Sequence, residues 1–155
     1  ITMTLGGRVA EELIIKNVST GASGDIRQLT QTAKRMVTEW GMSDKIGPLF
    51  YGSDGEIFVG KNYQTEKGYS NEIADTIDEE VNKIVTACHK RATELLSERE
   101  SILHAMAKVL FEKETIHTEE VEMLMQGKSA EEVIAAMDKT EATASEQPSE
   151  TPSAQ

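Results

Sequence analysis

Three histidines, one cysteine and a set of carboxylates are the side chains of this 155-residue sequence that could hold a metal or arm a nucleophile. His89, His104 and His117 are 15 and 13 residues apart, so no two share a helical face at ligand spacing. An HExxH run, which sets two zinc ligands on one face with a base between them, does not occur in these residues. All three histidines read as surface or helix-flank residues. Cys88 falls on an apolar stripe and reads as a small core residue; its neighbour His89 diverges by about 100 degrees on a helix and cannot serve it as a base. There is no GxSxG and no P-loop. The segment Ser19-Thr20-Gly21-Ala22-Ser23-Gly24-Asp25 is different in kind, a small-residue loop that delivers a carboxylate to the first turn of a helix. An aspartate oxygen can bind zinc at about 2.0 to 2.2 Å. Ser and Asp at a helix N-terminus are equally what capping and the macrodipole favour, and residue chemistry leaves both readings open.

The elements that must position these residues are mostly helical. Leu5, Val9 and Leu13 recur every four positions behind Gly6-Gly7. Ile26, Leu29, Ala33, Met36 and Trp40 step by three and four, with Gly41 as a C-terminal stop. Gly47-Pro48 and Ser53-Asp54-Gly55 punctuate Leu49 to Tyr51 and Ile57 to Val59, which predicts a small β-hairpin. Ser70 is the expected N-cap of the longest helix, about 28 residues with Ile73, Ile77, Val81, Ile84, Cys88, Ala92 and Leu95 on one stripe. Leu103, Met106, Ala107 and Leu110 mark another helix, and Thr118 with Glu119-Glu120 opens one carrying Val121, Leu124 and Met125. Ser129 and Glu132 have capping-box spacing ahead of Val133, Ile134 and Met137. The fold class expected is mainly α, with a small hairpin.

Composition narrows the function classes. The formal charge is −11, a sign that repels phosphate backbones and anionic lipid surfaces. One cysteine cannot make an internal disulfide, and no apolar run approaches the roughly 20 residues of a membrane helix. The chain opens on Ile1 with no signal-peptide pattern, and is expected to be the downstream part of a longer protein. Residues 139–155 are rich in Ser, Thr, Glu, Ala and Pro and hold no large apolar side chain, so a disordered acidic tail is expected there and a folded part over 1–138.

Leu5 to Leu13 (LGGRVAEEL), Thr20 to Ile26 (TGASGDI) and Met36 to Ser43 (MVTEWGMS) stand in the order and approximate spacing of the FtsH family of membrane-bound, ATP-dependent zinc metalloproteases. The resemblance continues through Gly47-Pro48-Leu49, Ile57 to Gly60, Ile77 to Val81, Leu103 to Met106 and Glu114-Thr115-Ile116, and reaches about Met125. It implies the C-terminal part of an FtsH-type peptidase domain. In that family an HExxH helix supplies two histidine ligands and the glutamate base, and the aspartate of the GASxD loop is the third zinc ligand, a position that Asp25 occupies here. Three protein ligands leave a fourth zinc position for water. Glu11 and Glu12 match the family's GGRxAEE segment and are assigned to helix packing or polar support near the ligand.

The same resemblance implies Zn2+ with two histidines encoded upstream, ATP and Mg2+ on an ATPase module also upstream, a homo-hexamer with the helices from Ser70 to Met125 on the floor of the protease ring, and unfolded or membrane-extracted polypeptides as substrates. It implies membrane anchorage through upstream segments, with the peptidase domain on the cytoplasmic side of a bacterial membrane. Gly24 stands where Asn is commoner, Lys61 where Arg is usual, and Cys88-His89 near a position often aromatic. Without HExxH these residues are expected to be inactive alone. A non-catalytic helical oligomerisation or interaction module is the alternative.

Overall fold

The computed structural model describes residues 1–52 and 68–145, with side chains up to residue 140. Among the described residues the secondary structure consists of six α-helices and one π-helical turn, with no strand. The mainly α class holds. Of the expected hairpin, Ile57 to Val59 lies outside the described residues. Leu49 to Tyr51 is irregular chain: Tyr51 donates its N–H to Thr38 O at 2.7 Å, which fastens it to a helix end and not to a strand. The residues form two compact units, Ile1–Ser97 and Glu98–Gln155.

The first unit begins with α1, Gly6–Ala10, followed at once by the π-helical turn Glu11–Ile15. The spacing of Leu5, Val9 and Leu13 predicts one continuous α-helix. The last turn instead widens, Lys16 N–H reaching back five residues to Glu11 O at 3.0 Å. Lys16 then leaves in a left-handed conformation, φ 54°, which ends the helix.

Helix α2, Ser23–Thr38, buries Leu29, Ala33 and Val37. The predicted stripe through Ile26 and Trp40 is therefore rotated, since both stay more than two-fifths exposed. Trp40 instead lies against the Arg35 guanidinium, 5.0 Å from the ring centre. Gly41 does stop the helix. Its φ of +63° suits glycine, and a Cβ there would meet the Pro48 Cα at 3.2 Å.

Helix α3, Asn71–Ser97, packs against both α1 and α2. Ile73 N–H donates to Ser70 Oγ at 3.3 Å, the expected cap. Two apolar clusters result: Ala33, Val37 and Ile46 against Ile77 and Val81, and Leu5, Val9 and Leu29 against Ala92, with Cys88 packed beside the second. One charged side chain joins this buried face. Glu80, 5% exposed, accepts the Ser43 hydroxyl at 2.9 Å, and Ser43 Oγ in turn accepts Ile46 N–H at 3.3 Å.

The second unit holds α4, Glu100–Lys113; α5, Thr118–Met125; and α6, Ala130–Ser145. Its core is Val109, Leu124, Ala130 and Val133, with Ile102, Ala105, Met106 and Met137 packed around it. The buried face of α4 thus runs through Val109, and Leu110, expected inside, is exposed. The Ser129 and Glu132 capping box forms in both directions, at 2.8 and 3.3 Å. Helix α6 continues past Asp138 because Lys139, Glu141 and the alanines at 142 and 144 are good helix formers, and Thr140 Oγ1 closes on Ala136 O at 3.1 Å. Residues 146–155 of the expected tail lie outside the described residues.

Candidate functional site

The loop from Lys16 to Ala22 joins the π-helical turn to α2, and its conformation is set by one carboxylate. Glu11 Oε1 accepts the Ser19 hydroxyl at 2.7 Å, and Glu11 Oε2 accepts Ser19 N–H at 3.3 Å. Ser19 Oγ also accepts Gly21 N–H at 3.1 Å. Ser23 N–H then donates to Thr20 O, and Ile26 N–H to Ala22 O, which starts the helix. Ala22, 6% exposed, anchors this corner in the protein.

Asp25 lies in the first turn of α2 and is exposed. Its carboxylate makes no hydrogen bond or ion pair among the described residues, and no side chain caps the helix at Ala22. A capping role is therefore not what holds it. An exposed, unengaged carboxylate is a suitable single oxygen donor for a divalent ion. Among the described residues no three His, Cys, Asp or Glu side chains converge to hold a metal, so a zinc centre using Asp25 must draw its other ligands from elsewhere. The residues present fit zinc as one ligand, not as a complete site.

Glu11 and Glu12 point to different tasks. Glu12 accepts the Arg8 Nε–H at 2.7 Å and contacts His89 Nε2 at 2.9 Å, tying α1 and the π-helical turn to α3. Burial raises the Glu12 carboxyl pKa, but the hydrogen bonds and charges of Arg8 and His89 outweigh it and leave the group below its usual value. His89 is therefore engaged in the structure and not merely a flank residue. His104 has only a 3.6 Å approach to Glu100, and His117 precedes α5, its N–H donating to Glu120 at 2.8 Å. Among the described residues of the first unit, His89 and Asp25 belong to no metal-binding group. Sequence reasoning missed the Glu11 to Ser19 contact and the 77-residue link from Glu12 to His89, because neither spacing has a periodic signature.

No helix among the described residues is long and apolar enough to cross a membrane.

Residues 1–124 match the sequence model of the family described as Peptidase family M41. The ATP-dependent zinc metalloprotease FtsH of Veillonella parvula is 51% identical over 125 residues, 80% of this chain and 20% of the relative. The protein of that name from Myxococcus xanthus is 46% identical over 128 residues, 82% and 20% of the two chains. That of Bacillus subtilis is 44% identical over 123 residues, 78% and 19%. The chain spans about one-fifth of the length of these relatives.

Proposed function

The chain belongs to peptidase family M41, and on that footing we propose that it contributes the third zinc ligand, Asp25, to an ATP-dependent zinc metalloendopeptidase. The observation that carries this reading is the placement of Asp25: exposed, unengaged, and delivered by a loop whose shape Glu11 sets. Two histidines of an HExxH helix, in a part of the protein beyond the fifth represented here, complete the ligand set and bring the general base. Zinc, when bound, polarises a peptide carbonyl and lowers the pKa of water towards neutrality.

The residues of this chain do the holding. Asp25 presents one carboxylate oxygen, and α2 keeps it in place through Leu29, one turn further on and buried against Leu5, Val9 and Ala92. Ile15, Val18 and Ile26 flank the loop in sequence and are 66%, 50% and 42% exposed, apolar surface suited to cover by the rest of a peptidase domain. The whole protein, on this reading, is a membrane-anchored homo-hexamer whose ATPase module feeds unfolded or membrane-extracted polypeptides to the peptidase ring. The 155 residues alone, lacking HExxH, have no peptidase activity.

The test is Asp25→Asn in the full-length protein. Zinc content by elemental analysis falls and proteolysis is lost, while ATP hydrolysis shows that the protein is assembled. Full proteolysis at normal zinc content rejects the ligand assignment.

A further inference from the structure

We propose that the outward face of α2 is a docking surface for a second copy of this chain, its basic row meeting an acidic row on the neighbouring copy's α3. The basic row is Arg27, Gln31 and Lys34, and the acidic row is Glu72, Asp75 and Glu79. This rests on the reading of the whole protein as a homo-hexamer. Helices α2 and α3 bury Leu29, Ala33 and Val37 against Ile77, Val81 and Ala92. At about 3.6 residues per turn, that contact leaves the basic row on the outside of α2 and the acidic row on the outside of α3, and all six side chains are exposed.

The two rows match in sign and in length. Arg27 and Lys34 make no ion pair among the described residues, and Arg35 beside them is balanced by Glu39 at 3.0 Å. The α2 face thus carries two uncompensated cations on a chain of net charge −11. Glu72 and Asp75 also make no ion pair among the described residues, and Glu79 is shared with the exposed Lys45 at 3.1 Å. Each row runs seven positions along its helix, about 10 Å at about 1.5 Å per residue. Charge complementarity of this kind selects the partner and fixes its register.

The rows lie on different faces, so one copy cannot pair its own. The contact is head-to-tail, each copy offering α2 to one neighbour and α3 to the other, and contacts of that kind close into rings. Exposed ion pairs contribute little by themselves. Trp40, 45% exposed and 5.0 Å from the Arg35 guanidinium at its ring centre, adds an aromatic anchor beyond the C-terminal end of the α2 row.

The experiment uses the full-length protein, its subunits mixed from isotopically heavy and light preparations and treated with a water-soluble carbodiimide. This reagent joins an amine to a carboxylate in contact with it and leaves arginine untouched. Mixed-isotope peptides join Lys34 to Glu72, Asp75 or Glu79, which marks a link between copies. In a second arm, Arg27→Glu with Lys34→Glu turns two attractions into repulsions and speeds subunit exchange at low salt about tenfold. Adding Glu72→Lys and Asp75→Lys to the same chain restores slow exchange, because the reversed rows attract again. The effect of the reversal shrinks in high salt.

No mixed-isotope link at Lys34, or a link from it only to a segment outside these 155 residues, in a protein that sediments as a hexamer, overturns the docking surface and leaves the ring in place. Exchange that ignores the reversal, or is not restored by the second pair of substitutions, overturns the pairing of the two rows. An unsubstituted protein that sediments as a monomer overturns the homo-hexamer itself and the surface with it. The crosslinking arm needs no substitution, so it decides the matter alone if a variant does not fold.

Discussion

Replacing Leu29 and Ile26 in turn by alanine tests how α2 is seated under Asp25. Both substitutions remove three carbons, yet Leu29 is 3% exposed and Ile26 is 42% exposed. For Leu29 the transfer cost is about 2.4 kcal/mol at about 0.8 per carbon. The cavity left among Leu5, Val9 and Ala92 brings the total to about 3 kcal/mol. For Ile26 the buried fraction carries about 1.4 kcal/mol of transfer, water refills the space, and alanine's better helix propensity returns about 0.4, leaving about 1 kcal/mol. The assay is urea unfolding of the 155-residue chain followed by fluorescence of Trp40, the sole tryptophan, which stands just beyond α2 in the first unit. With a slope of about 1 kcal/mol per molar urea, the two midpoints differ by about 2 M, Leu29→Ala being the lower. Midpoints within about 0.5 M of each other, or a larger fall for Ile26→Ala, would refute the seating of the helix.

Two further outcomes probe the rest of the fold. The Glu80 carboxyl lies below its ordinary pKa of 4.5, chiefly through the Ser43 hydroxyl, against an opposing contribution from burial and with help from Lys83 and Lys45. A depressed carboxyl stabilises fully above its unfolded pKa and loses that stabilisation as pH falls through the folded value, so Glu80→Gln flattens the acid limb of the urea midpoint below pH 4.5, and an unchanged limb counts against the buried contact. Ser129→Ala removes one side of the capping box and lowers the stability of the second unit by about 1 kcal/mol, read by circular dichroism in urea; no change means that the cap is not formed in solution.

Much of the helix layout was legible because it depends on local signals. Ser70, Ser129 with Glu132, and Gly41 mark helix ends through bonds or backbone angles made within a few residues, and all three act as their types predict. Helix faces were less legible. On α2 the expected row of Ile26, Leu29, Ala33, Met36 and Trp40 shares Leu29 and Ala33 with the buried row of Leu29, Ala33 and Val37, and only the position of α3 decides which flank of that pair is covered. Leu110 loses to Val109 on α4 for the same reason. The widened turn at Glu11–Ile15 has no propensity signature, and Glu80 looks like any solvated acid until Ser43 is placed over it.

The candidate site shows the same division. Asp25 stood out because a glycine-bearing loop feeding a carboxylate into a helix is unusual in sequence, but its neighbours within the loop could as well have made it a cap. No side chain caps α2 and the Asp25 carboxylate has no partner among the described residues, so the macrodipole term of a first-turn carboxylate is the structural role that stands beside the proposed ligand role. A carboxylate in the first turn gains only the modest macrodipole term for the stability of this chain, whereas the loop before it is held by three hydrogen bonds centred on Ser19. Order in the approach to a group that has no partner is consistent with the proposed role of Asp25 as a preorganised ligand, because the entropy of fixing it would be lost on folding and not again when an ion arrives.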